Sequence, residues 1–331
     1  MRTTIFIATI VALTACGAPP PAAAADEDTS GTMLVANKRG NSLSRVDLAS
    51  GKETGQAAVC ANAHELAVSP DRAYVAIGCY SGQQVEIYRT ADLTRVKTID
   101  LGEGARPHGV VWHDNGTLYS TAQGRGSMFV IRDPLSASPK VREIGGGGGS
   151  EGPHLLAVNE AGTVAWGTIV GAGTVVRYDL AAGQEDSRKV LGGQTEGIAL
   201  APGEGALWVG STDGAKVYRL DPRTLEIVAE VPAGARPMRV AARPAGRWVV
   251  TSDSGDGQLT VIDEESNAPT RTVPISGDRM SGQVTLVFSH DGSRLYAAET
   301  AKDAVAEIDF ESGKVLRRLP AGDGGDGLAV F

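Results

Sequence analysis

From residue 32 onward the apolar residues come in short runs separated by polar, glycine-bearing loops. Met33 to Ala36 form one such run. The stretches around Val217 and Arg219, and around Val305 and Glu307, show alternation of apolar and polar positions. A period of two puts successive side chains on opposite faces and predicts strands. No stretch keeps an apolar period of 3.6 over three turns, so no long amphipathic helix is expected. Segments 34–72, 207–246 and 295–331 share one layout: an apolar strand, a polar loop, an alternating strand, a turn, a third strand, a glycine-rich loop and a fourth strand.

The fourth strand sets the register. It reads Leu66-Ala67-Val68, Val110-Val111-Trp112, Leu156-Ala157-Val158, Ile198-Ala199-Leu200, Val240-Ala241-Ala242, Leu286-Val287-Phe288 and Leu328-Ala329-Val330, at spacings of 44, 46, 42, 42, 46 and 42. Seven units of this period with four strands each predict an all-β, seven-bladed β-propeller. The chain starts with a unit lacking its fourth strand and ends with that strand alone. A solenoid would leave both ends unpaired, whereas a ring closes when 328–330 joins the N-terminal blade. The stretches LVAN (34–37), VDLASGK (46–52), LAVSPDR (66–72) and EIDFESGKV (307–315) resemble the YVTN-type seven-bladed propellers of secreted bacterial proteins. That resemblance covers about residues 32–331 and implies a fold, not an activity.

Composition narrows the partners. The 43 glycines suit a chain made of turns, and 31 Lys+Arg against 39 Asp+Glu leave a net charge of −8. With no basic cluster, a nucleic-acid partner is not expected. No apolar run approaches the roughly 20 residues of a membrane-spanning helix.

The N-terminus reads as an address. Arg2 precedes an apolar stretch, Ile5 to Leu13, and then Leu13-Thr14-Ala15-Cys16. This layout predicts a signal peptide over 1–15. LTAC resembles the lipobox of bacterial lipoproteins, which implies cleavage before Cys16 and acylation of Cys16, palmitate included. Residues 16–31 are Pro/Ala-rich, then acidic, and read as a disordered tether to a propeller over 32–331. Gly17 rather than Asp follows the cysteine, so the expected location is the bacterial envelope, on the outer membrane facing the periplasm. Contact with the membrane is expected only through the lipid, and the protein is expected to be a monomer.

Candidate chemistry lies two residues before each anchored strand. That column reads His64, His108, His154, Glu196, Met238, Val284 and Asp326. The chain has five histidines, and three of them occupy consecutive places in it. Loops entering the inner strand open on one rim of the channel, so the column forms a ligand rim. Three imidazoles with an open position suit zinc, and imidazole equally suits copper. Glu196 is placed as a fourth ligand or general base. The competing readings are an organic ligand at the same rim and imidazoles that only satisfy neighbouring loops. Cys60 and Cys79 are expected to form a disulfide in an oxidising compartment, with soft metal ligation as the alternative.

Ala105-Arg106-Pro107-His108-Gly109-Val110 and Gly152-Pro153-His154 resemble short loops of the lactonase-like propellers, which include 6-phosphogluconolactonases and carboxymuconate cyclases. That resemblance implies an acidic lactone or sugar as substrate but is too local to place the family's catalytic set. Glu196 is a candidate base, and Arg106, Arg236 and Arg239 are candidate carboxylate clamps, since a guanidinium fork fits a carboxylate. Arg106 and Arg236 read better as surface loop residues. Gly145–Gly149 lacks the Lys-Ser/Thr of a P-loop, and Ser150 has no nucleophile-elbow context. Asp253–Gly257 reads as a turn rather than a calcium loop. The sequence therefore points to a ligand-binding or interaction module rather than an enzyme, with a small molecule, a metal or an envelope protein as partner. A lactonase-like hydrolase or cycloisomerase at the same rim is the alternative.

Overall fold

The computed structural model of the chain describes residues 30–146, 151–244 and 246–331. Cys16, the signal segment, most of the tether and Ser150 lie outside the described residues.

Seven four-stranded antiparallel sheets form seven blades. The inner strand of blade 1 is Gly325–Val330, and those of blades 2 to 7 are Ala63–Val68, Pro107–Trp112, Leu156–Val158, Thr195–Leu200, Pro237–Ala242 and Gln283–Phe288. The ring closes as the repeat phase requires. Gly325–Val330 pairs with Thr32–Asn37, with Met33 opposite Val330 and Val35 opposite Leu328.

Burial follows position in the blade. In Thr32–Asn37, the second strand of blade 1, every residue after the first is buried, because neighbouring blades cover both faces. The outer strand Lys52–Ala58 shows no buried residue and carries the polar positions. Between blades, apolar side chains interlock: Ala76, Val85 and Ile99 of blade 2 meet Val110, Leu118 and Phe129 of blade 3. An equivalent cluster joins blades 7 and 1, where Tyr296, Val305 and Leu319 pack on Met33, Val35 and Leu328. Each is a surface that a single blade cannot bury alone.

The Asp that ends many third strands makes the turn. Asp47 Oδ1 accepts from Ser50 N at 2.8 Å, and Gly51 supplies the left-handed φ of 68° that follows. Asp309 with Ser312 and Gly313 (φ 68°) repeats this geometry in blade 7. An aspartate hydrogen-bonded to backbone two or three residues on is a local turn former. The expected Cys60–Cys79 disulfide is present. It excludes the alternative of these sulfurs as thiolate ligands.

Candidate functional site

A β-bulge in the inner strands aims the column. Register shifts fall between Ala63 and Leu66, Pro107 and Val110, Thr195 and Ile198, Pro237 and Arg239, and Gln283 and Leu286. These intervals contain His64, His108, Glu196, Met238 and Val284. An extra residue bends the strand and re-aims its side chain, here toward the channel. The residue after the column position must also fit. A Cβ on Gly109 would lie 2.9 Å from His154 O, and one on Gly327 would lie 2.2 Å from His64 O. Glycine at these places lets neighbouring inner strands close up near the axis.

The column lines one cavity of about 260 Å³ at the channel mouth. All seven members, His64, His108, His154, Glu196, Met238, Val284 and Asp326, face it, joined by Arg239. Loops between second and third strands add Lys38, Gln123 and Val170. A larger hollow of about 580 Å³ beside Trp112 carries carboxylates that are all exposed, Asp71, Asp114 and Asp133.

The histidines form a stack. Ring centroids of His64 and His108 are 4.6 Å apart, and those of His108 and His154 are 3.6 Å apart with planes 30° from parallel. The end members are held by neighbouring loops. His64 Nδ1 faces the Asn62 carbonyl at 3.2 Å, and His154 Nδ1 faces Gln123 Oε1 at 3.1 Å. A carbonyl oxygen only accepts, so His64 Nδ1 carries the proton. His108 is buried at 1% exposure, and its Nδ1 has no hydrogen-bond partner among the described residues.

Arg239 forms the polar floor. Its Nη1 donates to Glu196 Oε1 at 2.6 Å and its Nη2 to Glu65 Oε1 at 2.7 Å, while Nε is buried without a partner among the described residues. At one end of the stack His64 Nε2 lies 4.0 Å from Asp326 Oδ2, which Lys38 also approaches to 3.0 Å. At the other end His154 Nε2 lies 3.7 Å from Glu196 Oε1.

Burial sets the proton affinities. It pushes His64 down to about 4, against the opposing pull of Asp326. It holds His108 well below the ordinary histidine range, helped by His154 and His64 on either side. Burial works to raise Glu196, but contact with His154 and the Arg239 charge override it and leave the carboxyl at about 2. Burial raises Glu65 despite Arg239, with Asp326 adding to the rise. Two carboxyls sharing one guanidinium thus differ in proton affinity, a pattern that separates acid from base roles.

Two expectations change in detail. Arg239 is no free carboxylate clamp, because Glu65 and Glu196 occupy both of its terminal nitrogens. The imidazoles are stacked rather than aimed at one point. Among the described residues, the group of three or more candidate ligand side chains with donor atoms mutually within 4.8 Å is Cys60, Cys79 and Glu86, and its sulfurs are bonded to each other. The stack as it stands does not fit a metal cage. Sequence reasoning missed Glu65, Lys38 and Gln123. The signal for Glu65 was the column one residue further on, where it and Arg239 stand at equivalent positions of blades 2 and 6.

A family model described as the SMP-30/gluconolactonase/LRE-like region matches residues 150–330, just over half of the chain. The chain belongs to this family. No curated protein sequence matches this SMP-30/gluconolactonase/LRE-like chain. Among solved structures, a functionally unknown protein from Desulfotomaculum acetoxidans matches at 14% identity and TM-score 0.75, over 91% of this chain and 99% of that one. A streptogramin B lyase matches at 17% identity and TM-score 0.69, over 82% and 88%. The dihydro-heme d1 dehydrogenase NirN matches at 13% identity and TM-score 0.66, over 94% and 77%. At these identities the likeness of the family member to them is one of fold.

Proposed function

We propose that this protein is a lipid-anchored envelope propeller whose channel-mouth cavity binds a small carbonyl-bearing organic molecule and performs acid–base chemistry on it. The observation that carries the reading is a pair of buried hydrogen-bonding atoms without partners among the described residues, Arg239 Nε and His108 Nδ1, on two side chains that line the cavity. Native proteins rarely leave such atoms unsatisfied, and each costs stability until a partner arrives. Arg239 Nε only donates, so the ligand must present an acceptor such as a carbonyl oxygen. Met238 and Val284 offer an apolar wall to the rest of the molecule.

A lactone fits this donor set, and family membership points the same way. Water adds to the carbonyl carbon while a neutral imidazole of the stack takes its proton. The ring C–O bond then breaks, and the leaving alkoxide takes a proton back. The test is turnover of small aliphatic and sugar lactones, followed with a pH indicator, in the parent protein and His108→Ala. Turnover that His108→Ala abolishes supports the reading. Saturable binding without turnover reduces it to a binding module, and the absence of both turnover and binding rejects it. For the anchor, Cys16→Ser should move the protein from the membrane fraction to the soluble fraction, and unchanged membrane retention would reject the lipid.

A second reading puts zinc or copper on His64, His108 and His154. Neutral imidazole is the ligating form, which favours it, but the rings must first turn out of their stack. Titration calorimetry with each ion, comparing His108→Ala with His113→Ala, separates the two readings.

A further inference from the structure

The cavity sits beside a disulfide whose contacts lead into the histidine stack. Cys60 lies in the loop that enters the inner strand of blade 2, and Cys79 ends the strand Tyr74–Cys79. Two residues after Cys60, Asn62 adopts a left-handed φ of 58°. Its carbonyl accepts from Tyr80 N at 3.3 Å and faces His64 Nδ1 at 3.2 Å. One residue after Cys79, the Tyr80 ring meets His64 edge-on, with centroids 4.9 Å apart, and His108 at 5.2 Å. Arg106 covers that ring at 4.4 Å and donates from Nη2 to its hydroxyl at 2.5 Å. The Arg106 carbonyl accepts from Gln123 N, and the Gln123 side chain meets His154. All three imidazoles are therefore reached from the bonded cysteines through a few contacts.

Beyond the disulfide, the strand ladder begins with Ala63 opposite Cys79, Asn62 N donates to Asn41 Oδ1 at 2.7 Å, and two longer bonds tie the loop to the residues after Cys79. Tyr80 N to Asn62 O at 3.3 Å and Ser81 N to Ala61 O at 3.4 Å lie at the long end for N–H···O bonds. The covalent link is the strong one.

We infer that the Cys60–Cys79 bond is a covalent positioning device for the cavity, holding Asn62 and Tyr80 where they set the tautomer of His64 and the stacking of His64 on His108. Its importance for activity rests on the proposed ligand reading, but the positioning itself does not. Reduction by a dithiol breaks the S–S bond and gives two protein thiols, each taking one proton, while the dithiol closes to its own disulfide. Asn62 and Tyr80 then lose the covalent tie between their segments, while Asn41 still holds Asn62 N and Arg106 still covers the Tyr80 ring. The acceptor that fixes the Nδ1–H form of His64 is less firmly placed, and the edge-on contact of Tyr80 with the stack loosens.

The test is imidazole ¹⁵N NMR on histidine-labelled protein before and after dithiothreitol, with thiol counting to verify reduction. The expected result is loss of the single Nδ1–H tautomer at His64 and a shift of the His108 signals. His113 is the internal control, since its Nε2 lies 2.9 Å from the Asn159 carbonyl, away from the stack. Unchanged His64 and His108 signals in fully reduced, folded protein would overturn the inference. Should reduction unfold the chain, Cys60→Ala combined with Cys79→Ala, refolded without reductant, decides. It should shift His64 and His108 and spare His113, and unchanged stack signals reject the inference. Lactone binding or turnover is scored separately, so failure of the ligand reading leaves this result standing, and the reverse holds too.

Discussion

Arg239 Nη2 meets Glu65 Oε1 at 2.7 Å, joining inner strands of blades 6 and 2 across the channel. The same guanidinium reaches Glu196 of blade 5 at 2.6 Å. Three blades thus contribute charge to one buried floor. Their residues stand 43 and 174 positions apart in the chain.

Breaking that floor should be severe. Arg239→Met leaves two buried carboxyls facing each other, and loss of one partner from a buried ion group costs about 3–5 kcal/mol. Urea unfolding at pH 7 should show that loss. Adding Glu65→Gln and Glu196→Gln to Arg239→Met should restore much of it, since no uncompensated charge remains. A triple variant no more stable than Arg239→Met would contradict the electrostatic account.

His64 makes the fold sensitive to acid. Its folded value of about 4 lies below the ordinary 6.5, so the unfolded chain binds the proton first. Its contribution to stability is present above 6.5 and is lost as pH falls through about 4, on the order of 2–3 kcal/mol. His64→Gln removes the titrating group. The difference in unfolding free energy between pH 7 and pH 4.5 should shrink in that variant, as measured by urea titration at both values.

Asp253 works in the opposite direction. It is fully buried, accepts from the Thr251 and Thr260 hydroxyls, and has no cation among its hydrogen-bond partners. Burial raises it to about 6. The folded state therefore holds this proton more tightly than the unfolded chain does. The stability it brings is complete below 3.8 and is lost as pH rises through about 6, by roughly 2–3 kcal/mol. Asp253→Asn should flatten this limb, and thermal melts of both proteins between pH 4 and pH 7.5 read the change.

Glycine after the column position tests how closely the inner strands approach. In Gly327→Ala the new Cβ would lie 2.2 Å from His64 O, a backbone atom that cannot swing aside. Overpacking of this kind costs roughly 1–3 kcal/mol or more. It should also disturb the ring of His64. The exposed Gly205, with φ −79° and open space around its Cβ position, is the control. Gly327→Ala should lower the melting temperature by several degrees, and Gly205→Ala should leave it near that of the parent.

Local pattern alone determined the ring. Alternation fixed the strands, the spacing of Leu66, Val110, Leu156 and their successors counted the blades, and the phase offset announced that Leu328 would pair beside Val35. These are repeats of short-range chemistry, and short-range chemistry is written along the chain. The column of His64, His108, His154 and Glu196 was legible for the same reason, since equivalent blade positions must reach the same rim. Tertiary structure decided what the column does once assembled. Whether three imidazoles converge or stack depends on how closely inner strands approach and how each bulge turns its side chain. Those depend on Gly109 and Gly327 allowing backbone contact. The repeat puts Glu65 and Arg239 in one column, but not their contact, which exists only where blades 2 and 6 face each other across the axis. Nor could the chain reveal that Tyr80, one residue past a cysteine, would lie against two histidines from different blades. Such distances belong to the closed ring, where burial turns separated polar residues into one coupled set.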